Sequence, residues 1–213
     1  MEIKYTNFEL DEKTFGKNEI CALFDETGTF IEDNIYDVRT FNQISNLPVG
    51  IYLRFGTNVK TKKLIFDLLS EFEISKELQR RPLKKLSTSE FIKVQIIKLC
   101  ASPVKNIILD GLDTYFNYKD LTVILKTLKN HLVQIDKTVI VTANKVDNLV
   151  QYADRYIIVE EGRIIYAGCD YEKAPLKTDI RTFTNIANDK GAKLKDYKEA
   201  NDLLKAIYRS VKR

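Results

Sequence analysis

The stretch KKLSTSEFIKVQIIKLCASPVKNIILD, residues 84–110, decides how the chain is read. Ser87 is followed three residues later by Glu90, the spacing at which a hydroxyl and a carboxylate each satisfy an N–H at the start of a helix. Phe91, Val94 and Ile97 then recur at three-residue steps, which predicts a helix with an apolar face. Pro103 predicts its end, because the residue before a proline is pushed out of the helical region. The run VKNIILD (104–110) reads as a buried strand that carries Asp110 to its C-terminal end.

Downstream, KDLTVILKTLKNHLV (119–133) reads as an amphipathic helix and KTVIVTA (137–143) as a second buried strand. VDNLVQYA (146–153) reads as a short helix, and RYIIVEEGRIIYAG (155–168) as a hairpin turning at Glu161-Gly162. From Asp170 the chain is polar and lysine-rich and closes on the helix DYKEANDLLKAIYRSVK (196–212). Its apolar face, Leu203, Leu204, Ile207 and Val211, is expected to pack on the core or on a partner. Upstream, EIKYTNFEL (2–10) alternates as an edge strand does, EICALFD (19–25) reads as a buried strand, and VGIYLRF (49–55) as a third. Residues 59–80 carry apolar groups at helical spacing, enough for one or two helices. Strand–helix alternation in the second half implies an α/β fold with a mostly parallel sheet flanked by helices.

Composition bounds the function. A chain of 213 residues, 44% hydrophobic and 30% charged, is that of an ordinary globular domain. A formal charge of +4 demands neither a nucleic-acid nor a membrane-surface role, and no nucleic acid is expected as a partner. The N-terminus lacks a basic-then-apolar leader and no apolar run reaches membrane-spanning length, so the expected location is cytoplasmic. The three cysteines, Cys21, Cys100 and Cys169, are widely spaced and read as reduced, mostly buried thiols. With no CxxC or Cys/His cluster and His131 the single histidine, the sequence argues against a zinc cluster and a histidine-dependent triad.

The order of elements over residues 83–168 resembles that of the ATP-binding subunits of ABC transporters. KKLSTSEFIKVQIIKLCASPVKNIILD is similar to the family's signature loop LSGGQ, the helix that follows and the Walker B strand. KTVIVTANKVDNLVQYADRYIIVEEGRIIYAG resembles the switch-histidine strand and loop, the Ala153-Asp154-Arg155 step and the closing hairpin. NEICALFDETGTF (18–30) resembles the strand and loop leading into Walker A. The resemblance implies a P-loop NTPase-like ABC fold in one domain, residues 1–213. Residues 1–54 and 101–168 would form the core, with a small antiparallel N-terminal part. Residues 55–100 would form a reduced helical subdomain carrying the signature, and 169–213 a C-terminal tail.

The departures from the family pattern fall on the reacting positions. Where the family has GxxGxGK[ST], this chain reads DETGTFIE (25–32), keeping Gly28 but placing Ile31 at the lysine and Glu32 at the hydroxyl residue. A phosphate cradle needs inward N–H groups, a lysine and a magnesium-binding hydroxyl. Carboxylates at Asp25, Glu26 and Glu32 would instead repel a triphosphate. Asp110, the position that reaches magnesium in the family, is kept. Gly111 stands where the family has its catalytic glutamate, and Asn144 where it has the switch histidine. The family's glutamine is not obvious after VGIYL, where Arg54-Phe55 stand. The signature keeps Leu86 and Ser87 and loses both glycines to Thr88 and Ser89. In the family this loop faces ATP held by the opposite subunit, so Ser87 is the position through which a partner's nucleotide would be met.

The resemblance therefore implies a degenerate ABC subunit with ATP hydrolysis absent or very weak, pairing with a membrane permease at the inner face of the membrane. A homo- or heterodimer with another ABC ATPase subunit is expected. No cofactor of its own is expected, and residual ATP and magnesium would come through that partner. The alternative is a transporter-independent regulatory protein built on the same scaffold. Asn144-Lys145-Val146-Asp147 also spells the guanine-reading NKxD of small GTPases, but that reading needs a P-loop lysine and a DxxG after the second nucleotide strand; Ile31 stands at the lysine and Asp110 is followed by Gly111-Leu112-Asp113.

Overall fold

The computed structural model of the protein describes residues 3–4, 9–10, 15, 18–24, 36–37, 46–55, 59–104, 106–142, 147–161, 163–176 and 178–211. At the N-terminus β1 (Ile3–Lys4) and β2 (Glu9–Leu10) pair antiparallel, with Ile3 opposite Leu10. The expected single edge strand over EIKYTNFEL is thus a two-strand ribbon. Alternation along a sequence cannot tell one strand from two that fold back on each other.

The main sheet is assembled from β3 (Ile20–Phe24), β4 (Tyr36–Asp37), β5 (Asn106–Leu109), β6 (Thr138–Val141), β7 (Arg155–Glu160) and β8 (Arg163–Gly168). Its order is β4-β5-β6-β3-β7-β8, every pairing parallel except the β7–β8 hairpin. Parallel neighbours require crossovers, which place helices over the sheet and demand apolar residues on both faces. The strands obey this with period two. Ile20, Ala22, Ile107, Leu109, Val139, Val141, Tyr156 and Ile158 join the large core cluster. Cys21, Leu23, Ile108, Ile140, Ile157 and Val159 form a second cluster with Phe15 packed against it.

The helices are α1 (Val49–Arg54), α2 (Val59–Glu71), α3 (Lys76–Arg80), α4 (Thr88–Ala101), α5 (Tyr118–Ile135), α6 (Asp147–Val150), α7 (Asp179–Asp189) and α8 (Ala200–Val211). The segment VGIYLRF, expected as a strand, is α1. Val49 and Leu53, four apart, are buried, whereas Ile51 and Phe55 are exposed. That is helical spacing, and Pro48 before the first turn suits a helix start, having no N–H to leave unpaired. α1 packs mainly on α3 and α4, within the helical part. α5 buries Leu121, Ile124, Leu125, Leu128, Leu132 and Ile135 along one stripe. Each contributes roughly 1.5–3 kcal/mol of transfer free energy, and Leu128→Ala would cost about 2–5 kcal/mol.

Two readings of the C-terminal part need correction. The polar stretch after Asp170 contains α7, capped by Thr178, whose hydroxyl accepts the Arg181 N–H at 3.0 Å. Phe183 and Ile186 of that helix are exposed, so it lacks the buried stripe by which helices are read. Cys21 and Cys100 are buried as expected, but Cys169 is exposed; none of the three is in a disulfide.

Candidate functional site

The parallel strands β5 and β6 end side by side, and two short connections at that edge bring the informative residues together. Open α/β sheets bind ligands beyond the carboxyl ends of their strands, so this edge is where a site belongs. Asp110 follows the last residue of β5, and Thr142 follows the last residue of β6. The Thr142 hydroxyl donates to Asp110 Oδ1 and accepts the Gly111 N–H at 2.9 Å. The Thr142 N–H in turn reaches the Leu109 carbonyl at 3.1 Å. One hydroxyl thereby fixes the Asp110 carboxylate and the turn after it. The sequence reading missed Thr142; its signal is a hydroxyl residue closing an apolar strand beside another strand that ends in an acid.

Gly111 adopts φ +58° and ψ +37°, the left-handed region that side chains disfavour. It opens a single 3₁₀ turn, Leu112–Thr114, whose Leu112 is fully buried. The Asn148 amide donates to Asp113 at 3.5 Å, linking this turn to α6. Gly111 therefore works as a turn residue, and the position carries no acid.

Upstream supports hold β5 in place. The Lys137 ammonium donates to the carbonyls of Ser102 and Val104, closing the α4-to-β5 connection, and burial lowers its pKa from the ordinary lysine value. Asp154 of the Ala-Asp-Arg step accepts the Ile20 N–H at 3.0 Å and binds Lys129 at 2.9 Å, while Arg155 pairs with Glu19 at 2.9 Å. These contacts fasten the start of β3 to β7 and α5.

Ser87 is the N-cap of α4. Its hydroxyl accepts the Glu90 N–H at 3.2 Å, and its own N–H donates to the Glu90 carboxylate at 2.8 Å, the reciprocal capping box the sequence predicts. Ser87 is exposed. Its hydroxyl is engaged by the helix and Glu90 supplies an anion at the positive helix end. Arg81 lies 3.9 Å from that carboxylate and 2.7 Å from Glu77.

Gly28 and Asn144 lie outside the described residues, as does Gly162 of the hairpin turn. The glutamine expected after VGIYL is not there, because that segment is α1. The strand beside β5 is instead β4, and the first glutamine after it is Gln43, also outside the described residues.

The described residues do not by themselves fit a magnesium–nucleotide site. Asp110 is one carboxylate with an oxygen taken by Thr142, Gly111 adds no ligand, and no group of three or more His, Cys, Asp or Glu among the described residues could hold a metal. Likewise no helix among them is long and apolar enough to cross a membrane.

No family model matches the chain. Its sequence is 25% identical over 140 residues to the energy-coupling factor transporter ATP-binding protein EcfA2 from two strains of Staphylococcus epidermidis. That match covers 64% of this chain and 46% of those proteins, so the chain spans about half the length of the curated relatives it matches. Among solved structures, CbiO1 from Clostridium perfringens, part of the ABC transporter complex CbiONQ, is similar with a TM-score of 0.60. The two are 16% identical over 90% of this chain and 94% of that one. The ADP conformation of an ATP-binding cassette of an ABC transporter is similar with a TM-score of 0.55 and 13% identity, over 90% of this chain and all of that one. The protein thus has the α/β, P-loop NTPase-like fold of the ATP-binding cassette, and its sequence resembles the ATP-binding subunits of ABC transporters.

Proposed function

We propose that the chain is a non-hydrolysing ATP-binding-cassette subunit that serves a membrane permease as a structural partner, in the cytoplasm at the inner face of the membrane. The observation that carries this reading is the turn after Asp110. The strand end that presents the family's magnesium carboxylate is kept and braced by Thr142, while the position that would activate water is a left-handed glycine. Ile31 and Glu32 in place of the phosphate-binding lysine and hydroxyl support the same conclusion. Gln43 is then the counterpart of the family's glutamine. Ser87 would meet nucleotide held by an active ATPase partner through its O–H, since in the cap its oxygen only accepts the Glu90 N–H.

The permease side has its own support. Leu47, Ile51 and Phe55 around α1 are 46%, 55% and 78% exposed, an apolar surface on the helical part. Lys98 of α4 braces it by donating to the carbonyls of Tyr52, at 3.0 Å, and Phe55.

The test is direct. The purified chain is expected to show no ATP hydrolysis and no magnesium–ATP affinity tighter than millimolar by calorimetry; a micromolar dissociation constant would refute the proposal. Affinity capture from native membranes is expected to recover a multi-span protein, and Ile51→Asp or Phe55→Asp to abolish that recovery with the fold intact. Recovery of soluble partners alone would favour a transporter-independent scaffold.

A further inference from the structure

The C-terminal helix has a face that neither the fold nor the proposed site uses. α8 attaches through Leu203, which is buried. One residue round, Leu204 and Tyr208 sit four apart on one face and are 50% and 70% exposed. Lys205 and Arg209, each one residue further, are likewise four apart and exposed. Around the helix the order is therefore a docked side, an exposed apolar stripe, then a basic stripe. Lys205 also bonds Asp202 at 3.0 Å, which orients its side chain without hiding it.

Charge is concentrated in the same part of the chain. Residues 190–213 hold eight basic and three acidic side chains, so their surplus of five exceeds the formal +4 of the whole protein. The remainder is close to neutral, so the net positive charge of the chain resides in this segment.

We propose that α8 docks on an anionic bilayer surface, with Leu204 and Tyr208 at the headgroup level and Lys205 and Arg209 against lipid phosphates. An apolar stripe flanked by basic residues, with an aromatic that has a polar tip, is the pattern of a helix lying in that plane. The basic stripe calls for an anionic counterpart, which the phosphates of an anionic bilayer supply along the whole length of the helix. The charge makes this contact selective for anionic over neutral lipid. It does not rest on the permease reading, since the binding needs no other protein.

The chain has no tryptophan, so Tyr208→Trp places a single reporter on the proposed contact. The full chain carrying it would be mixed with vesicles of phosphatidylcholine alone and of phosphatidylcholine with phosphatidylserine in equal parts. Expected are co-sedimentation and a blue-shifted emission with the anionic vesicles only, weakened by salt. Lys205→Glu with Arg209→Glu, and separately Leu204→Ser in the reporter background, should each lower partitioning about tenfold or more, with an unchanged circular dichroism spectrum. Absence of anionic-vesicle binding at low salt would overturn the proposal. So would binding that the paired charge reversal leaves unchanged.

Discussion

The carboxylate of Asp147 accepts the backbone N–H of Asp179 through both oxygens, at 3.1 and 3.2 Å. Asp147 is the last residue of the Asn-Lys-Val-Asp run that spells a guanine reader, and its carboxylate is committed to the first turn of α7. Asp147→Ala should therefore lower stability by about 1 kcal/mol, with faster amide exchange confined to residues 179–189. Guanine nucleotides should leave the melting temperature of both proteins unchanged; a rise with GTP that the substitution removes would contradict this.

Gly111→Glu places the family's catalytic acid where the sequence lacks it. At φ +58° a side chain costs about 1 kcal/mol or more. The expected outcome is a less stable protein that still hydrolyses no ATP. A phosphate-release assay together with a denaturant titration checks both halves.

The capping box is a stability element. Ser87→Ala should cost about 0.5–2 kcal/mol and Ser87→Gly only a few tenths. Glu90→Gln keeps an acceptor for the Ser87 N–H and should cost less than Glu90→Ala. Urea midpoints at constant slope would rank the four variants.

His131 of α5 meets Glu71 of α2 at 2.6 Å and Gln134 at 3.1 Å, which ties the helical part to the core. Burial works against the charged ring, but the bond to Glu71, helped by Gln134 and Asp67, prevails and raises its pKa above the ordinary 6.5. The bond to His131 lowers the Glu71 pKa. A raised histidine pKa gives stability that is complete below pH 6.5 and lost as pH climbs through the raised value. The lowered carboxylate gives stability lost only in acid, below its ordinary 4.5. Stability should therefore fall from pH 6 to pH 8, by about 1 kcal/mol at most because Glu71 is partly exposed. Glu71→Gln should flatten that slope, measured by chemical denaturation at each pH.

These elements differ in how far the sequence discloses them. β3, β5, β6 and β7 are legible as short continuous apolar runs because both faces of the sheet are buried, and α4 and α5 because their apolar residues recur at helical spacing. α1 misleads because Val49, Ile51, Leu53 and Phe55 also alternate; only the packing of Val49 and Leu53 on α3 and α4 decides for a helix. β4 is two residues long and owes its place to pairing with β5, seventy-one positions away at Asp37↔Ile108, a long-range relation without a local signature. Asp110 and Ser87 are legible as the ends of their elements, whereas the Thr142 bridge is not, because it joins the ends of two strands. The expected contributions of Gly28 and Asn144 fall outside the described residues.

The left-handed turn at Gly111 also bears on descent. A glycine codon lies one base from a glutamate codon, so the acid is a single mutation away. That mutation meets a left-handed backbone that glycine adopts freely and a side chain does not, and the Thr142 hydroxyl, which accepts the Gly111 N–H, holds the turn in that form. Regaining the acid at this position costs stability before it can bring any benefit. The turn acts as a ratchet, and lineages that share it are expected to vary at Gly111 far less than an idle position would.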